Sequence, residues 1–67
     1  MGMENAIYSV GDWVYITPSI PEILAQIVEL RGPFGPKGER VYRLRIKTGL
    51  RWPTYVEIME HYLILAE

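Results

Sequence analysis

Residues 40–47, RVYRLRIK, place Tyr42, Leu44 and Ile46 at every second position with Arg43, Arg45 and Lys47 between them. An extended strand, whose side chains alternate between two faces, sorts such a run into one apolar and one charged side; a helix would scatter it around its circumference. A strand of this kind must lay its apolar face on a core, and its backbone groups need neighbouring strands as partners. The same period of two recurs along the chain. From Asp12 to Thr17, Val14 and Ile16 fall on one face and Trp13 and Tyr15 on the other. From Tyr55 to Met59, Val56 and Ile58 point inward, Glu60-His61-Tyr62 reads as a single helical turn, and Leu63 to Leu65 is a last short strand.

The stretch from Leu24 to Arg31 is aliphatic on both faces, with Leu24, Val28 and Leu30 against Ala25 and Ile27. A short helix is one solution. The β-branched pair Ile27-Val28 and the glycine-proline stop favour the other, a strand covered on both sides or bending between two sheets. The segment TPSIPE (17–22) is a loop, because its two prolines each remove a backbone donor. In TGLRWP (48–53), Gly49 is free to take a positive φ, and Pro53 bars the next strand from full ladder pairing. The segment RGPFGPKGER (31–40) carries glycine at every third place, the collagen spacing, but the register ends at Val41 and strands flank it on both sides. It therefore reads as a hairpin loop between strands two and three. Its one apolar tip residue, Phe34, either folds back over the barrel mouth or offers a partner a handle.

Length turns five short strands into a specific fold class. Sixty-seven residues hold one domain, and a flat sheet of that size cannot cover both its faces. The expectation is all-β: a five-stranded SH3-like barrel with one short helical turn before the last strand, spanning residues 10–67 behind an N-terminal tail of residues 1–9. Met1-Gly2-Met3 reads as an expression remnant, and Ala6 stands where a myristoylation signal wants Ser or Thr. Apolar runs of four or five residues are too short for a bilayer span and nothing at the start resembles a signal peptide, so a soluble, cytoplasmic protein without membrane contact is expected. With no cysteine to staple so small a fold, the remaining aids are a dense core or association with another chain, and self-association stands beside a protein partner as an expectation.

The runs VGDWV (Val10–Val14), AQIVELRGP, RVYRLRI and YVEIMEHYL (Tyr55–Leu63) resemble the small SH3-like barrels of bacteria across Val10 to Ala66. The closing run is similar to the end of the barrel domain in nitrile hydratase β subunits, where an acidic residue between two aliphatics precedes a turn and a Tyr-Leu pair. The resemblance implies a fold and little about function, since one barrel serves many roles. The metal of nitrile hydratase belongs to its other subunit, so no metal ligand is implied here. A second barrel family, the plasmid-borne drug-resistant dihydrofolate reductases, assembles as tetramers around one pore with Val-Gln-Ile-Tyr in the penultimate strand. The corresponding Val56-Glu57-Ile58-Met59 replaces the amide with a carboxylate, and four negative charges in one pore would repel each other and NADPH. That reductase is the third-ranked function.

No other chemistry is spelled out. His61 is the sole histidine, and with no cysteine one chain cannot assemble several nitrogen or sulfur ligands, so neither metal nor cofactor is expected. Ser9 and Ser19 lack a nucleophile elbow, and Glu57 and Glu60, three residues apart through a turn, read as solvated. The chain is expected not to be an enzyme. Charge is more telling. All seven basic residues fall between 31 and 51, where only Glu39 opposes them, leaving that stretch at +6 and the flanks at −7. Cross-strand pairs of Arg43 and Arg45 with Glu29 and Glu57 account for much of this. Two functional expectations follow. The first is a noncatalytic protein-binding or assembly module using Trp13, Tyr15, Phe34 and Trp52, because large aromatics on a barrel's outer face mark contacts; core burial of Trp13 and Tyr15 in a bent strand is the other reading of that pair. The alternative is a nucleic-acid adaptor using Arg40, Arg43, Arg45, Lys47 and Arg51 with aromatic stacking platforms, against which the acidic overall balance counts.

Overall fold

A computed structural model describes residues 6–32, 37–49 and 51–66. They form β1 (Trp13–Ile16), β2 (Ile23–Gly32), β3 (Val41–Ile46), β4 (Thr54–Met59), one 3-10 turn (Glu60–Tyr62) and β5 (Leu63–Leu65). All pairings are antiparallel, in the order β4-β3-β2-β1-β5. The expected class is the one observed: all-β, five strands, and a helical turn directly before the last.

That order forces the sheet to curl. In a flat sheet the edge strands β4 and β5 would lie four strand spacings apart, about 19 Å. Yet only the 3-10 turn joins them, and the step from Met59 to Leu63 spans at most about 14 Å even fully extended. The sheet therefore wraps until both edges face one interior. Val14, Ala25, Ile27, Tyr42, Leu44 and Leu63 are buried there, with Ile16, Val56 and Ile58 packed against them, so all five strands contribute to one core. The turn is tied in by the Glu60 N–H donating to the Arg40 carbonyl at 2.8 Å and the Thr17 N–H donating to the Tyr62 carbonyl at 2.7 Å.

β2 is neither a helix nor a strand passing between two sheets. It is one bent strand whose pairing with β3 slips between Ile27 and Glu29 and again between Leu30 and Gly32. Each slip leaves one extra residue, Val28 and then Arg31, and an extra residue turns the following side chains to the other face. Ala25 and Ile27 point inward before the first bulge, and Leu30 packs on the same core after it. Gly32 closes the second bulge with φ +100°, a conformation that glycine takes without steric penalty. Among the described residues the left-handed glycines are Gly11, Gly32 and Gly38; Gly49, free to take a positive φ in the β3–β4 turn, does not do so. Phe34 lies outside the described residues, so its two alternatives are not placed.

The expected tail, residues 1–9, is revised at its inner end. Tyr8 is 9 % exposed and belongs to the core, its hydroxyl donating to the Leu63 carbonyl at 2.9 Å. Its ring meets that of Tyr42 edge to face at 5.6 Å, and Ala6 packs beside it. The described part of the segment thus adds Tyr8 to the core that the strands build. Among the described residues no helix is long and apolar enough to cross a membrane.

Candidate binding groove

Directly opposed residues on antiparallel strands share a face. Trp13 opposes Gln26, Gln26 opposes Arg45 and Arg45 opposes Tyr55, so these four form one outward row across β1, β2, β3 and β4. Val14, between Trp13 and Tyr15, is fully buried, whereas Trp13 is 37 % exposed. The Arg45 guanidinium donates to the Gln26 side-chain carbonyl at 3.2 Å, and the Gln26 amide donates to the Gly11 carbonyl at 3.2 Å. Gln26 thereby holds Arg45 in line with Trp13. Lys47 continues the outward alternation of β3, and its ammonium lies 6.0 Å from the centre of the Trp13 ring, the edge of cation–π range.

The turn after β3 completes a groove of about 320 Å³ lined by Trp13, Arg45, Lys47, Arg51, Trp52 and Pro53, together with two further β3-end residues. Trp52 is 74 % exposed. Proline at 53 fixes the backbone beside that indole and contributes an apolar wall. Among the described residues no carboxylate lines the groove, and none of Arg45, Lys47 and Arg51 enters an ion pair. Such an arrangement attracts anions and offers flat apolar surfaces on which a planar group stacks.

The two expected sets of contact residues are redistributed here. From the protein-binding set, Trp13 and Trp52 come together. Tyr15 lies one row away on the same outer face, between Leu24 on β2 and Ile64 on β5. From the nucleic-acid set, Arg45, Lys47 and Arg51 share the groove. Arg43 does not join them: it pairs with Glu57 at 3.5 Å and lies 5.0 Å from the centre of the Tyr55 ring. Arg31 adds to that cluster, bonding Glu29 at 3.0 Å and approaching Glu57 at 3.2 Å through a nitrogen not aligned for a hydrogen bond. Of the expected cross-strand ion pairs, Arg43 to Glu57 forms, whereas Arg45 turns to Gln26 and Glu29 to Arg31.

Arg40 stands at the opposite end of β3, 3.5 Å from Glu60. Glu60 is not paired with Glu57. Its carboxylate accepts a hydrogen bond from the Tyr42 hydroxyl and one from the Ile7 N–H at 3.3 Å. The Tyr42 hydroxyl accepts in turn from the Tyr8 N–H at 3.4 Å. Burial, reinforced by the bond to Glu60, pushes the Tyr42 phenol up to about 12, and burial also raises Tyr8. This polar cluster escaped sequence reasoning, as did Gln26. His61 is exposed and its ring rests 4.2 Å from that of Tyr62. Among the described residues no group of three or more His, Cys, Asp or Glu is placed to hold a metal ion.

The chain was compared with protein-family models, with curated proteins and with solved structures, and none of the three gives a match.

Proposed function

We propose that this chain is a noncatalytic binding module and that its contact site is the Trp13–Trp52 groove, taking an anionic ligand. One observation carries this: two exposed indoles and three cations line one groove that no carboxylate among the described residues enters. Cations kept out of ion pairs retain their field for a ligand, and indoles left in water supply stacking or apolar contact. The likeness of the closing run to the nitrile hydratase barrel domain bears on this reading only through the fold. Amide chemical shifts recorded during titration with oligothymidylate, oligoglutamate and polyphosphate test it. At least one polyanion is expected to move resonances of residues 45–53 and Trp13 as a group. Silence with all three polyanions, or shifts scattered over the surface, would contradict the proposal.

A second contact is favoured by a separate observation. Ile64, 54 % exposed, stands opposite Tyr15 on the outer face of the edge strand β5, and Tyr15 stands opposite Leu24, so the three form one apolar row. Contiguous apolar side chains reaching an edge strand support a polypeptide contact, either a protein partner or a second copy. Sedimentation equilibrium of the native chain and of Ile64→Lys tests the self-association form: it expects a concentration-dependent dimer that the variant lacks. A monomer at all concentrations would remove it.

A further inference from the structure

We infer that the ligand of the groove is single-stranded nucleic acid, with bases stacked on Trp52 and Trp13 and phosphates held by Arg45, Lys47 and Arg51. This rests on the groove being the binding site and adds the class of ligand. Charge complementarity alone would admit an acidic peptide as well. The indoles decide between them, because carboxylate side chains leave two exposed rings in water whereas each nucleotide brings one phosphate and one flat base. Pairing three cations with two such rings matches the alternation of charge and π-surface along a single strand.

Duplex is the poorer fit. Its bases are stacked on one another and cannot reach the indoles, and entry to a major groove needs a projecting helix or β-ribbon. The only helix among the described residues is one three-residue 3-10 turn, and the candidate cations lie along a sheet face and turn. The basic track is also short. Arg43 and Arg31, the next cations along the sheet, are occupied by Glu57 and Glu29, so the positive surface stops within one row of Arg45. A short track on a chain of net charge −1 predicts weak, salt-sensitive binding, with Kd on the order of 10–100 μM at low salt. With three phosphate contacts, log K should fall with log salt at a slope of about −2.

The test uses the full chain with a short labelled oligothymidylate, followed by anisotropy and by quenching of tryptophan fluorescence. A duplex of the same length, free thymidine monophosphate and oligoglutamate serve as competitors. The oligothymidylate is expected to bind with that slope and to quench tryptophan, while each competitor displaces it poorly. Trp52→Ala should weaken binding about fivefold or more through lost stacking, and Arg51→Glu should weaken it further. Both side chains lie at the surface, so a circular dichroism spectrum of each variant separates loss of binding from loss of fold. Equal affinity of Trp52→Ala and native chain overturns the inference, as does duplex or free nucleotide competing as well as the single strand. Oligoglutamate binding alone, abolished by Arg51→Glu, would keep the anion-binding groove and reject nucleic acid. No binding to any of the four would reject nucleic acid and, together with silence towards polyphosphate, the groove as well.

Discussion

The two ends of β3 use charge in opposite ways. At its start, Tyr42 is fully buried, and Glu60 is engaged by Tyr42, Arg40 and the Ile7 N–H. At its finish, Arg45, Lys47 and Arg51 face a groove lined by no carboxylate among the described residues, beside indoles left in water. A half-buried carboxylate supplied with donors from three parts of the chain ties those parts together, and losing one donor leaves the rest undersatisfied. Exposed cations outside ion pairs contribute little to folding and retain their field for something outside. The contrast separates residues that hold this protein together from residues that give it something to do.

Perturbing the polar end should therefore be costly. Tyr42→Ala empties a fully buried ring position and is expected to lower unfolding free energy by about 3–5 kcal/mol in urea titrations, enough to unfold a domain of this size. A loss under 1 kcal/mol would show that Tyr42 is not central. Deleting residues 1–9 removes Tyr8 with its bond to Leu63 and should cost about 2–4 kcal/mol. An unchanged midpoint would restore the segment to a tail.

Alkali provides a gentler probe of the same end. Tyr42 titrates near 12 in the folded chain against about 10 unfolded, so between those values the folded state holds more protons. Stability from this group is complete below pH 10 and is lost as pH rises towards 12, by on the order of 2 kcal/mol. Tyr42→Phe should flatten that part of the stability profile, and a native profile already flat from pH 9.5 to 12, a range set by about 10 and about 12, would count against the cluster.

The boundary between the two ends can be shifted. Glu57→Gln releases Arg43 and Arg31 from their shared carboxylate and should cost at most about 1 kcal/mol, since all three side chains are substantially solvated. It should also extend the basic surface beyond Arg45 and tighten anion binding about threefold, a change of roughly one charge in the salt slope. Unchanged affinity would mean that the field at the groove does not depend on the neighbouring ion pairs. The smallest effect is expected for Trp52→Ala on folding, within about 0.5 kcal/mol of native.

Much of the fold is legible in the sequence because alternation is a local signal. β3 and β5 can be read almost residue by residue, whereas in β1 alternation separates Trp13 from Val14 without saying which of the two apolar faces turns outward. β2 is harder, because two bulges let Ala25, Ile27 and Leu30 reach one core although they do not keep a period of two. Tyr8 has no such pattern around it. Its partners Tyr42 and Leu63 lie 34 and 55 positions away, a distance over which the chain gives no periodic cue. The groove was hidden for a similar reason. Aromatic and basic residues look like rival sites in the sequence, and only the register Trp13–Gln26–Arg45 shows that they share one surface. The extra glutamine in that row had no feature to single it out before its two neighbours were known.

The division of labour along β3 is tested most directly by one variant measured two ways: Lys47→Glu with Arg51→Glu, followed by urea unfolding and by oligothymidylate affinity on the same preparation. The account predicts an unfolding free energy within about 0.5 kcal/mol of native, as for surface substitutions, together with at least about a tenfold loss of affinity. A variant that unfolds, or one that folds and binds as the native chain does, would contradict it.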